Sequence, residues 1–109
     1  MNMFYTLDDN NNVVPCELTE WSKLYEETYG RQRRRVDSID IDDKHISTVF
    51  LGLDHNYFGG KPLLFETMIF DAEGSDIYCE RYSTWIEAEE GHKKAIQWVK
   101  DGCKDENME

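Results

Sequence analysis

The chain has 109 residues, a length for one domain whose core needs no disulfide or metal staples. Acids number 23 against 12 Lys and Arg, a net charge of −11. At long range this balance repels nucleic acid and anionic membrane. It suits solubility, a basic protein partner or imitation of a nucleic acid.

Aromatic residues make up 13%, which argues against disorder in the body of the chain. Cys16, Cys79 and Cys103 are odd in number and widely spaced, so no disulfide framework is expected and a reducing cytoplasm is the simplest compartment. Residues 1–7 have no basic start and no long apolar run, so no signal peptide is read there, and no apolar stretch approaches a membrane span.

In chain order, 3–7 and 13–17 flank Asp8-Asp9-Asn10-Asn11-Asn12, a hairpin whose turn residues tolerate left-handed backbone. Pro15 cannot donate to a ladder, which places the second strand at an edge. Thr19 is the expected N-cap of a helix over 20–29, with Trp21, Leu24, Tyr25 and Thr28 on one face and Gly30 as its stop. Within 36–41 and its turn, Ile39 and Ile41 alternate with Asp40 and Asp42, predicting a strand with one wet face.

After a turn at 42–44, residues 46–53 are apolar on both faces and predict a central strand. Gly52 near its end signals a bulge or a close backbone approach. A loop over 54–62 contains Gly59-Gly60. Residues 63–70 predict a second central strand, with Glu66 its one charge, and 77–82 return as another strand after the acidic turn 71–76.

Thr84 and Glu87 form a capping box for a second helix, whose stripe is Trp85, Ala88, His92, Ala95, Ile96 and Val99, and Gly102 stops it. His92 on that stripe reads as a packed core histidine. The expected architecture is α+β: an N-terminal hairpin, then a four-stranded antiparallel meander, with two helices packed on one face. Residues 1–103 form a single domain, and 104–109 a charged flexible tail.

Four segments resemble a family of small bacteriophage-encoded proteins of unassigned activity. They are Ser47-Thr48-Val49-Phe50-Leu51-Gly52-Leu53-Asp54-His55-Asn56, Pro62-Leu63-Leu64-Phe65-Glu66-Thr67-Met68-Ile69-Phe70, and Arg81-Tyr82-Ser83-Thr84-Trp85 with Glu90-Gly91-His92. The resemblance covers most of 45–100 and, more loosely, the Trp21 helix. It implies a phage accessory product, of the kind that acts against host defences or remodels host processes. It brings no catalytic residues with it.

The polar residues that the fold alone does not explain are Asp54, His55 and Asn56 at a strand end, Glu66 inside an apolar strand, and the arginines. Asp54 beside His55 can orient a base, yet no Ser or Cys stands at a spacing that makes a triad. Asp54 and Asn56 equally suit turn caps. Glu66 needs a partner if buried, and Arg81 lies one hairpin away. Arg31, Arg33, Arg34 and Arg35 are a local anion site or charge balance for the acidic strand that follows.

No P-loop, calcium loop or zinc spacing is present, so no cofactor is expected. The expected ligand site is Asp54, His55, Asn56, Glu66, Arg35 and Arg81, with Gly59-Gly60 as a flap. The expected function is non-catalytic binding against a host antiviral defence in the cytoplasm of an infected bacterium, preferably by sequestering a small anionic, nucleotide-like signal. The alternatives are an acidic inhibitor of a basic host defence protein and a nucleotide-processing enzyme with His55 as base. No direct nucleic-acid or membrane contact is expected, and a homo-oligomer is.

Overall fold

The computed structural model describes residues 3–26, 34–54, 56 and 59–104, with side chains of 24–26 left aside. Residues 105–109 of the expected tail, His55, Arg31, Arg33, Thr28 and the Gly30 stop lie outside the described residues. Strands β1 (Tyr5–Leu7) and β2 (Val13–Pro15) pair antiparallel, and helix α1 (Leu18–Glu26) follows. Strands β3 (Arg35–Ile41), β4 (Lys44–Phe50), β5 (Phe65–Phe70) and β6 (Asp76–Tyr82) form the meander in the order β3-β4-β5-β6, and helix α2 is Trp85–Lys100. The α+β architecture is the one the sequence pattern predicts.

Local chemistry explains each connection. Asp8 Oδ1 accepts the amide N–H groups of Asn10 and Asn12, both at 2.9 Å, and Asn11 takes φ 63, so the side chain of one aspartate builds the first turn. Asp42, at φ 54, opens the two-residue turn between β3 and β4. Asp71 Oδ1 holds the N–H groups of Glu73 and Ser75 in the β5–β6 turn.

The start of α1 differs from expectation. Thr19 lies inside the helix, which begins at Leu18, and the Trp21 N–H already bonds the Glu17 carbonyl at 3.1 Å. The cause is the Cys16 N–H, held by the Phe4 carbonyl at 3.0 Å, which ties down the end of the hairpin and turns the chain into the helix early. Helix α2 starts as predicted: the Glu87 N–H donates to Thr84 Oγ1 at 3.1 Å, while the Thr84 hydroxyl donates to the Glu87 carboxylate. It ends at Lys100, and Gly102 just past the Asp101 cap takes φ 83.

Alternation along the strands sends Ile46, Thr48 and Phe50 of β4 and Phe65, Thr67 and Ile69 of β5 to one face, where all six are fully buried. Helix α2 covers that face with Ala88, His92, Ala95 and Val99. Leu7 and Trp21 bring the hairpin and α1 into the same core beside Phe50 and Leu64. Full burial of an aromatic such as Phe50 is worth about 1.5–3 kcal/mol.

Three polar side chains cross this core. Thr48 Oγ1 lies 2.6 Å from Thr67 Oγ1 and 2.7 Å from His92 Nδ1, so two strands and the helix share one hydrogen-bond chain. His92 is 2% exposed, the packed core histidine that the apolar stripe predicts. Its Nε2 faces the exposed Asp37 carboxylate at 3.6 Å.

Candidate functional site

Side chains not sent to the helix emerge on the opposite face of the sheet. Register places them in rows. Arg35 pairs with Val49, Val49 with Glu66 and Glu66 with Arg81, so these four run across all strands in one row. The next row is Ser38, Ser47, Met68 and Cys79; beyond it Asp40, His45 and Phe70 align. No described helix contacts this face.

Three of the predicted site residues therefore share one row. The Arg81 Nε–H donates to Glu66 Oε2 at 3.0 Å, the pairing expected from sequence. Glu66 is 15% exposed and Arg81 41%, so the pair sits at the surface with the carboxylate the more sheltered member. The Cys79 thiol approaches the same oxygen at 3.6 Å. Partial burial, and then the Glu66 charge, raise the Cys79 thiol above its usual pKa, which makes it a poor nucleophile. Arg35 is exposed at the far end of the row and makes no ion pair with any described residue.

Asp54 and Asn56, expected at a strand end, lie past it because β4 stops at Phe50, and they behave differently. Asp54 Oδ1 accepts the N–H of Asn56 at 2.8 Å and of Leu63 at 3.1 Å, and the Asn56 amide donates to the Lys61 carbonyl at 2.9 Å. Asp54 and Asn56 thus close the 54–63 loop, as turn caps do. Gly59 and Gly60, at φ 86 and 89, make its tip.

The root of that loop is clamped. The Trp21 indole N–H donates to the Leu51 carbonyl at 3.1 Å, the Tyr5 N–H to the Gly52 carbonyl at 2.7 Å, and the Asp54 N–H to the Met3 carbonyl at 3.1 Å. Gly52, at φ 72, is wedged so tightly that a β-carbon would stand 2.7 Å from the Tyr5 oxygen and 2.8 Å from the Trp21 ring. The close backbone approach expected at Gly52 is the one observed.

A groove of about 760 Å³ lies elsewhere. Asn10, Asn12, Thr84, Trp85 and Glu89 line it, between the first hairpin turn and the start of α2. None of Asp54, Asn56, Glu66, Arg35 or Arg81 takes part in it. The described members of the predicted set lie on the outer sheet face and at the loop root, outside that groove.

Sequence reasoning missed His45 and Ser38 on the same face. The signal was available: across a two-residue turn at 42–43, partners have numbers adding to a constant, which sets Asp40 opposite His45 and Ser38 opposite Ser47. Among the described residues no cluster of three or more His, Cys, Asp or Glu has the makings of a metal site. None of their helices is long and apolar enough to cross a membrane. No family profile, curated protein or solved structure matches the chain.

Proposed function

We propose that this chain is a phage accessory protein that counteracts a host antiviral defence by holding a small anionic, nucleotide-like molecule without turning it over. The supporting observation is the Arg35–Val49–Glu66–Arg81 row on the sheet face that no described helix covers. In a chain of net charge −11, two guanidinium groups flank one apolar and one carboxylate position there. Glu66 orients Arg81, while Arg35 is unpaired among the described residues. Guanidinium forks match phosphate oxygens. An open face becomes a pocket when a second copy covers it, so the reading includes a homo-oligomer in the cytoplasm of the infected host.

The deciding experiment is mass spectrometry of the small molecule that co-purifies with the chain and is released by heat. Recovery of an intact phosphate-bearing compound, lost in Arg35→Ala and Arg81→Ala, supports sequestration. A chemically altered compound points to an enzyme. Small-angle scattering that returns a monomer mass at every concentration removes the subunit-built pocket.

A second reading has its own support. Asp37, Asp40, Asp42 and Asp43 are all exposed along β3 and its turn, a row of carboxylates suited to a basic host defence protein. Binding to such a protein that survives Arg35→Ala and weakens with salt favours this reading over ligand capture.

A further inference from the structure

The β3–β4 hairpin carries a constellation that the proposed ligand row does not use. The Ser38 amide N–H donates to Asp37 Oδ1 at 2.8 Å and so points away from the ladder. Ser38–Ser47 and Asp40–His45 are therefore non-hydrogen-bonded pairs, in which facing side chains stand closest. The result is that Asp40 Oδ1 lies 2.6 Å from His45 Nδ1, and Ser38 Oγ lies 3.4 Å from His45 Nε2.

A carboxylate on Nδ1 keeps the proton on that nitrogen and turns the lone pair of Nε2 toward the hydroxyl. Phe70 flanks the imidazole, with ring centroids 6.4 Å apart and planes 26° from parallel, which restricts the ring's rotation. The His45 side chain is 45% exposed and Ser38 is partly exposed, so reagents in solution reach the nitrogen and the hydroxyl.

The opposite face holds the same three groups in Thr48, His92 and Asp37, but there Thr48 is fully buried and His92 nearly so. No electrophile reaches that hydroxyl. Of the two arrangements, accessibility singles out the one on the hairpin.

We propose that Ser38 is a nucleophile activated by His45, with Asp40 as the positioning residue, and that the hairpin reacts with activated acyl and phosphonyl electrophiles. In the acyl case Ser38 Oγ attacks the carbonyl carbon while its proton passes to His45 Nε2. The bond to the leaving alkoxide breaks, and that oxygen takes the proton from Nε2. A water molecule, deprotonated by the same nitrogen, then attacks the acyl-serine; the Ser38 oxygen leaves, recovers the proton and frees the carboxylic acid. The Ser38 amide, a natural donor for the oxyanion, is already engaged by Asp37. The reaction is therefore confined to reagents with good leaving groups.

The test uses the full chain with two small probes, a fluorophosphonate and p-nitrophenyl acetate. Fluorophosphonate should give one adduct, in which the Ser38 oxygen has replaced fluoride on phosphorus, located by peptide mass spectrometry. Ser38→Ala should give none, and His45→Gln should slow labelling by roughly 100-fold, the usual scale of a general base. A low-field Nδ1–H proton resonance of His45 should vanish in Asp40→Asn, which also slows labelling, and both should return in Asp40→Glu. The proposal is overturned by no adduct, by an adduct elsewhere, by labelling indifferent to His45→Gln, or by Ser38→Ala hydrolysing the ester as fast as the wild type.

Discussion

Replacing Gly52 by alanine tests whether the root of the 54–63 loop is built as described. Two terms oppose the substitution. At φ 72 an alanine sits in the left-handed region, which costs about 1–2 kcal/mol. Its β-carbon would also stand 2.7 Å from the Tyr5 carbonyl oxygen and 2.8 Å from Trp21 Cδ1, and neither backbone nor indole yields cheaply, which adds about 1–3 kcal/mol. The smaller conformational entropy of alanine in the unfolded chain returns about 0.4–1 kcal/mol.

The net loss is about 1–5 kcal/mol, a substantial share of the roughly 5–15 kcal/mol that holds a domain of this size together. Urea denaturation followed by tryptophan fluorescence should show the midpoint falling by about 0.5–2.5 M at an m-value near 2 kcal/mol/M. Pairing the change with Trp21→Phe should be non-additive, because the smaller ring relieves part of the overlap. A Gly52→Ala midpoint within experimental error of the wild type would falsify the clamp.

Four further outcomes follow from the packing and charge. Gly91→Ala, which in most helices stabilises by about 1 kcal/mol, should here destabilise by about 1–2 kcal/mol, because its β-carbon would overlap the Tyr82 ring; urea midpoints decide the sign. Val99→Ala should cost about 1–3 kcal/mol by loss of buried contact in the core shared with Ile46 and Ile69, read from the same melts. Burial holds the His92 pKa below its ordinary value, against a smaller opposing pull from Asp37, so the folded state binds fewer protons than the unfolded one. Stability should be full above about pH 6.5 and fall as the pH drops from there toward the lowered folded value, a slope that His92→Gln should remove from urea midpoints measured between pH 7.5 and 5.5. Arg81→Ala should cost no more than about 1 kcal/mol in a thermal melt, since the ion pair lies at the surface, while removing any anion bound to the row.

The meander was legible because its strands alternate or run apolar between acidic turns, and α2 because Thr84 and Glu87 mark its start. The beginning of α1 was not. Its position depends on the bond from Cys16 to Phe4, a contact between strands that no local propensity reports. The Glu66–Arg81 partnership was readable from hairpin spacing. The alignment of Arg35 with them needed the bulge between Arg35 and Asp37, which shifts the register by one residue and sets Arg35 opposite Val49. Asp54 and Asn56 carry the residue types of a ligand site and of a loop cap alike, and only the bonds to Leu63 and Lys61 show that they fold the loop.

The hydrogen-bond chain through Thr48, Thr67 and His92 has a consequence for how the strands find their partners. Flanking positions on both central strands are large and apolar, so burial alone distinguishes poorly between the native alignment and one slid by two residues, which keeps the same faces inward. Such a slide would set Thr48 against Phe65 or Ile69 and leave its hydroxyl buried without the Thr67 partner. Each orphaned polar group would cost about 1–3 kcal/mol, and α2 would lose the one position where its imidazole is accepted. The two threonines and the histidine thus act as a key: they add little to the depth of the native state, but they raise the energy of the misaligned sheets nearest to it.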